Sequence, residues 1–159
     1  MTPAELRTLR DSLGLTAEQV AQMAGVRDRT VRRWEAGDWP VPQDVADALR
    51  RLDAQIEHHV AGAVEGIAER PQRPDDVVLV RYRTAEAMAH YLPDMASLPP
   101  SVHGALIDRV RVALGRLGIA SRIVWMDPPA YTAWLGRRRD SEAMRAAWAA
   151  EQLAQNDAA

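Results

Sequence analysis

Residues 15–37 are the stretch that most restricts what this chain can fold into. They read LTAEQVAQMAGVRDRTVRRWEAG, where Thr16 precedes a short segment of helical apolar periodicity and Gly25 follows it. A second periodic segment begins near Arg27 and is followed by Gly37. Threonine caps helix starts and glycine favours helix ends. The pattern therefore predicts two short helices joined by a tight turn.

The second of these helices is predicted to carry its basic side chains on one face. At about 100° per residue, Val31 and Trp34 define an inward face, with Arg27 towards its edge. The side chains that point away are those of Arg29, Arg32 and Arg33. Arginine can bind guanine O6 and N7 in a bidentate manner or contact a phosphate. We therefore predict insertion into the DNA major groove, with Arg27 and Arg32 at phosphates.

Further helices are predicted on both sides of this pair. Residues 2–5, TPAE, form a capping-box start, and Gly14 follows the helix that they begin. Between Gln43 and Glu69, apolar residues recur at an average spacing near 3.6, which predicts one long amphipathic helix. Trp39 lies in the proline-rich turn before it and is predicted to cover the core rather than to touch the DNA backbone.

Several positions between residues 6 and 42 also match a known family pattern. The matching residues are Arg10, Leu13-Gly14-Leu15-Thr16, Glu18, Val20-Ala21, Gly25-Val26, Thr30-Val31, Arg33-Trp34-Glu35 and Gly37. In these residues the chain resembles the Cro/CI-type helix-turn-helix family. The resemblance implies a five-helix, phage-repressor-like domain at residues 1–70 that reads operator DNA.

The resemblance further implies roles for single residues. The positions matching base-contacting residues are Asp28, Arg29 and Arg33. Thr16 and Ala17 would meet a phosphate, which the dipole and free N–H groups of a helix N-terminus favour independently. Arg10 and Glu35 would form a buried ion pair that joins the first helix to the third.

Two positions depart from the family pattern. Arg27 stands where a serine or threonine usually caps the recognition helix, and Ala17 stands where a polar residue often contacts DNA. Asp28 would face a polyanion. It would therefore either accept a hydrogen bond from cytosine N4 or orient Arg32.

Residues 77–155 are predicted to form a small α+β dimerisation domain after a linker at residues 71–76. Residues 77–83 and 119–125 read as two β-strands, separated and followed by helices. A two-stranded sheet is marginal alone, so a second copy of the chain would complete it. The residues assigned to this contact are Val78, Val80, Tyr82, Ile123, Trp125 and Trp134. The alternative, in which the tryptophans fill the core of one protomer, stays open.

Four stretches of this half match a second family pattern. They are 79–84 (LVRYRT), 99–103 (PPSVH), 122–125 (RIVW) and 131–135 (YTAWL). Here the chain resembles YdiL-like proteins and anti-CRISPR-associated autorepressors. That resemblance implies a homodimer that represses the operon containing its own gene.

Composition excludes other classes. Cysteine is absent, and no apolar run approaches the roughly 18 residues of a membrane span. We therefore expect a cytoplasmic protein. The net charge of −2 argues against whole-chain nucleic-acid affinity, but residues 27–33 hold four arginines against one aspartate. Nucleophile–base pairs, phosphate loops and metal-ligand spacings are not found, so no enzyme activity, metal or cofactor is expected.

Together these observations predict a mainly α, sequence-specific DNA-binding repressor. It would act as a homodimer on an inverted-repeat operator in double-stranded DNA. One alternative is an antitoxin that shares the DNA-binding module and binds a toxin through its C-terminal half. RNA recognition through the same arginines also stays open.

Overall fold

The computed structural model describes residues 1–69 and 76–157. Within these ranges the chain is mainly helical with one small sheet, which confirms the predicted mainly α class. Two compact units divide between His59 and Val60. The predicted linker lies outside the described residues except for Asp76, which is the first residue of a strand. None of the described helices combines the length and the hydropathy that crossing a membrane requires.

Four helices form within residues 1–69. They are α1 (Pro3–Ser12), α2 (Ala17–Ala24), α3 (Asp28–Ala36) and α4 (Gln43–Ala68). The family resemblance implies five, but α4 continues for 26 residues because no proline interrupts its apolar stripe. It extends beyond His59 and therefore belongs to both units.

The core of the first unit forms where α3 packs against α1 and α2. Its nearly inaccessible apolar side chains are those of Leu6, Leu13, Leu15, Val20, Val31, Leu49 and Ile56. Capping boxes fix the start of α1 at Thr2 and the start of α2 at Thr16. Each box satisfies backbone donors that the helix leaves without an acceptor. The core and the caps together position α3.

The second unit contains the sheet. Strands β1 (Asp76–Arg81) and β2 (Ala120–Trp125) pair in parallel, with Leu79 opposite Ile123. Parallel neighbours need a crossover connection. Here it is made by α5 (Ala85–Tyr91), a 3₁₀ turn at Pro93–Met95 and α6 (Pro100–Arg116). The two predicted strands therefore form the thin sheet that their sequences suggest.

Two further helices, α7 (Pro128–Leu135) and α8 (Glu142–Asp157), follow the sheet. α6 packs on both strands, α8 packs on β1, and α7 packs on α8. Helices therefore cover much of β1, whereas several side chains of β2 stay exposed.

An aromatic cluster fills the second core. Tyr82 stacks on Tyr91 with ring centroids 5.7 Å apart and lies 5.2 Å from the His103 ring. The hydroxyl of Tyr131 donates to Asp140 over 2.5 Å, and Asp140 also pairs with Arg145. Burial raises the pKa of Tyr82 to about 12. The polar ends of Tyr131 and Arg145 can be buried because the Asp140 carboxylate, whose side chain is 40% exposed, lies beside both.

The burial of Tyr82 corrects one assignment. Tyr82 is predicted as a dimer contact, but only 3% of it is exposed within a single protomer. β1 ends at Arg81, so the side chain of the next residue turns into the aromatic cluster instead of continuing the strand. The tryptophans of this unit also differ in exposure. Trp148 is buried, whereas Trp125 is 41% exposed.

The burial of His103 predicts a dependence of stability on pH. Desolvation, and secondly the charge of Arg81, lower the pKa of His103 to about 4. An unfolded histidine titrates near 6.5, so the unfolded chain alone gains a proton as the pH falls between these values. Stability from this residue should be full above about pH 6.5. It should fall by about 3 kcal/mol towards pH 4.

Urea unfolding between pH 7 and pH 4.5 measures this effect. His103→Gln should lose much of the parent's decline in unfolding free energy over this range. His90→Gln is the matched control, because His90 is exposed and should leave the decline unchanged. The same pH dependence in both variants would contradict the prediction.

Candidate nucleic-acid interface

A three-residue turn joins α2 to α3. Gly25 has a φ of +65°, in the left-handed region that glycine adopts without steric cost. The N–H of Val26 then donates to the carbonyl of Ala21 over 2.9 Å, which closes the end of α2. Arg27 is extended and leads into α3. The turn therefore brings α3 back across α2, and the two helices pack together.

α3 has one buried side and one basic side. Val31 is inaccessible and Trp34 is only 4% exposed. The three outward arginines, Arg29, Arg32 and Arg33, are all exposed. We call these three side chains the arginine face. Its existence follows from the burial of the opposite side of a nine-residue helix.

Arg27 does not lie where the helical angles predict. It is the N-cap of α3, with φ −88° and ψ 151°, and its side chain makes no capping hydrogen bond. Its side chain is exposed rather than at the edge of the core. The rotation of 100° per residue applies only to helical residues, and α3 begins one residue later.

Asp28 organises the first turn of α3. Its Oδ1 accepts from the backbone N–H of Arg29 over 2.7 Å, and its Oδ2 lies 3.4 Å from Nη2 of Arg32. In the protein without DNA, the Asp28 carboxylate therefore orients Arg32. Neither Arg29 nor Arg33 has a carboxylate partner among the described residues, so their charges stay available.

Trp39 joins the arginine face, which the sequence interpretation missed. It is 45% exposed, so the prediction that it covers the core is wrong. The Cζ of Arg33 lies 4.6 Å from the centroid of its ring. Gly37, with φ +82°, redirects the chain so that the backbone N–H of Trp39 lies 3.4 Å from the Arg33 carbonyl. The sequence signal for this contact was the glycine that ends α3, followed two residues later by a tryptophan.

The capping box limits what Thr16 can offer to a ligand. Its backbone N–H donates to Oε1 of Gln19 over 2.8 Å, and its Oγ1 accepts from the Gln19 N–H over 3.1 Å. The N–H of Ala17 belongs to the first turn of α2, where helix geometry provides no acceptor. At this helix start, Ala17 is therefore the better backbone donor to an anion.

The Arg10–Glu35 pair implied by the family resemblance is present. Nε of Arg10 lies 2.6 Å from Oε1 of Glu35, and their side chains are only 12% and 10% exposed. Nη1 of Arg10 also donates to the Leu15 carbonyl over 2.8 Å. The hydrogen bond to Glu35 raises the pKa of Arg10. One guanidinium therefore holds α1, the loop before α2 and the last turn of α3 together.

The residues assigned to dimerisation differ in how much surface they offer. Ile123 and Trp125 are separated by one residue on β2 and are 42% and 41% exposed. Val78 and Val80 are half-buried on β1. Trp134 is half-buried, and its Nε1 donates to Glu151 over 2.7 Å. The exposed apolar surface of this set therefore lies mainly on β2.

The chain belongs to the family described as a domain of unknown function, DUF4447, which matches residues 1–153. No curated protein sequence matches the chain. The family match includes residues of both units, and its description assigns no activity to either. The arginine face and the exposed side chains of β2 are therefore the features that bear on function.

The Arg10–Glu35 pair generates a stability prediction. Glu35→Gln should lower the free energy of unfolding by about 3 kcal/mol, because the largely buried Arg10 charge loses its buried counter-ion. Asp11→Asn is the matched control. Asp11 lies 2.7 Å from the same guanidinium, but its side chain is 59% exposed. It should change stability by about 0.5 kcal/mol or less. Equal losses in urea unfolding would refute the distinction between the two carboxylates.

Proposed function

We propose that this protein is a sequence-specific repressor that binds double-stranded DNA. The observation that carries the proposal is the arginine face. Three exposed arginines lie on a helix whose other side is anchored by Val31 and Trp34. α3 is about 14 Å long at 1.5 Å per residue, and the major groove is about 12 Å wide. A helix of this size can lie in the groove and bring the arginines to base edges.

In this proposal α2 and α3 form a helix-turn-helix, with α3 as the recognition helix. Arg29 and Arg33 have no carboxylate partner among the described residues, so they are the best candidates for bidentate contacts to guanine. Arg32 and Arg27 would contact phosphates. Asp28 would accept from cytosine N4 only if Arg32 moved from it to the DNA backbone.

Trp39 supports the role of Arg33. A guanidinium stacked on an indole explores fewer rotamers before binding, and such contacts contribute about 0.5–1 kcal/mol at exposed sites. Ordering a long side chain at an interface costs about 0.5–1.5 kcal/mol. The stacking therefore offsets part of the cost of fixing Arg33 at a base pair.

The charge distribution suggests how the protein would approach DNA. The chain has a formal net charge of −2, so the protein as a whole does not attract distant DNA phosphates. Residues 27–33 carry four arginines and one aspartate. Affinity should therefore come from few contacts and depend moderately on salt. Doubling the contact surface by dimerisation would then contribute strongly to operator affinity.

A second copy of this chain is the partner that β2 suits best. A sheet of two strands leaves unpaired backbone groups at its edges, and β2 also exposes Ile123 and Trp125. Two-fold pairing through this surface would give each dimer two α3 helices. The half-sites of an inverted repeat would then lie about 34 Å apart, or a multiple of that distance.

Repression is proposed as the consequence of operator binding. A dimer that covers a promoter would exclude RNA polymerase from it. The resemblance to anti-CRISPR-associated autorepressors favours the operon containing the protein's own gene as the target. The proposal therefore includes autoregulation.

Alanine substitutions test the recognition face. Arg29→Ala and Arg33→Ala should each weaken operator binding by about 1–3 kcal/mol and relax base preference at single positions, because each removes a bidentate contact. Arg32→Ala should weaken binding to all DNA sequences alike. It should also reduce the slope of log affinity against log salt concentration by about 1. Fluorescence anisotropy with DNA from upstream of the gene measures these effects.

Arg116→Ala is the control for this series. Arg116 is an exposed arginine in the last turn of α6, so its loss removes the same charge far from the proposed groove contact in the sequence. Its binding should match that of the parent. Equal affinity of all variants for the operator would contradict the assignment of the arginine face.

A charge substitution tests the dimer surface. Ile123→Glu places a carboxylate at the exposed centre of β2, where the proposed dimer would bury it. In sedimentation the parent should therefore be a dimer and this variant a monomer. Met23→Glu is the control, because Met23 is 49% exposed on α2. It should remain dimeric. A dimeric Ile123→Glu variant, or a monomeric parent, would refute this interface.

A further inference from the structure

The ring of Trp39 offers an apolar surface at the end of the arginine face. Arg33 lies over part of the ring, yet the residue stays 45% exposed. The guanine and phosphate contacts proposed for the arginines use only their charged groups. The exposed part of the indole is therefore free to contact whatever lies next to the base that Arg33 binds.

Trp39 is fixed to the end of α3 by its backbone as well as by its ring. The N–H of Asp38 donates to the Arg33 carbonyl over 3.0 Å, and the N–H of Trp39 lies 3.4 Å from the same oxygen. Pro40 follows and favours an extended backbone at Trp39, which limits how far the residue can turn. The indole should therefore keep its place beside Arg33 when α3 binds DNA.

The contact between the two side chains sets the level at which Trp39 would lie in the groove. O6 and N7 belong to the edge of the flat guanine base, so a planar guanidinium that binds both lies close to the plane of the base. Successive base pairs are about 3.4 Å apart along the duplex. The centroid of the indole is 4.6 Å from the Cζ of Arg33, closer to this spacing than to zero or to twice its value. Trp39 would therefore lie beside the base pair next to the guanine.

The chemistry of the groove limits what the indole can recognise there. Its faces and most of its edge are apolar, and its Nε1–H is a donor only. Among the groups that bases present in the major groove, the C5-methyl group of thymine is the apolar one. A contact between ring and methyl group removes apolar surface from water on both sides. Thymine is therefore the base that suits this position best.

We propose that Trp39 recognises the 5-methyl group of a thymine in the base pair next to the guanine bound by Arg33. This contact rests on the proposed function, because it forms only if α3 lies in the major groove. Arg33 and Trp39 would together read two adjacent base pairs, the first through hydrogen bonds and the second through apolar contact. Trp39 is thus a specificity determinant in its own right as well as a support for Arg33.

Replacing single operator thymines by deoxyuridine tests the contact, because this change removes the methyl group and keeps the base pair. The guanine bound by Arg33 is first located as the position at which Arg33→Ala relaxes base preference. Deoxyuridine at a thymine beside that guanine should weaken binding by the parent about fourfold, the effect of one buried methyl group. Fluorescence anisotropy with the full chain measures the change.

Variants of the full chain then assign the methyl contact to one side chain. Trp39→Ala should bind the thymine and deoxyuridine operators equally, because the apolar partner of the methyl group is gone. Trp39→Phe keeps an aromatic ring and should retain most of the preference for thymine. Met23→Ala is the matched control, since it removes another exposed apolar side chain, which is 49% exposed on α2. It should retain the full preference.

The results distinguish failure of this contact from failure of the proposed function. If Arg33→Ala relaxes one base position but the parent binds every deoxyuridine operator as tightly as the thymine operator, DNA recognition stands and methyl recognition is refuted. An unchanged preference for thymine in Trp39→Ala would refute the role of Trp39, and a uniform loss of affinity would then assign the residue to the DNA backbone. A parent that binds no duplex specifically would overturn both proposals.

Discussion

Burial of Val31 and Trp34 is the constraint on which the candidate DNA interface depends. These two side chains fix the rotation of α3, and the rotation forces Arg29, Arg32 and Arg33 outward. Rotation alone would not hold the helix in place along its axis. The Arg10–Glu35 pair supplies that restraint, because it ties the last turn of α3 to α1. The arginine face is therefore a product of core packing.

The second unit is constrained by the parallel pairing of β1 with β2. A parallel pair requires a crossover, and here the crossover brings the start of α6 to the end of β1. That arrangement packs Arg81 against Gly104 and buries His103 behind Tyr82. It also covers β1 more than β2, which leaves Ile123 and Trp125 exposed. The buried aromatic cluster and the proposed dimer surface both follow from one topology.

Local patterns predicted the helices and strands well, because caps, glycine stops and apolar spacing act over a few residues. The inward positions of Val31 and Trp34 could be predicted in the same way. Arg27 was misplaced because its conformation is extended, and helical geometry starts only after it. Trp39 and Tyr82 were misplaced because their surroundings depend on chain reversals and on Arg33 and Tyr91, which periodicity does not reveal.

Recognition of the major groove of double-stranded DNA by α3 is the step on which the proposed repression depends. Methylation interference on the DNA upstream of the gene tests it directly, since dimethyl sulfate modifies guanine N7 in the major groove and adenine N3 in the minor groove. If α3 reads the major groove, methylation of guanine N7 should abolish binding in two clusters about one helical turn, or a multiple of it, apart. Interference confined to adenine N3, or binding unaffected by methylation, would contradict it.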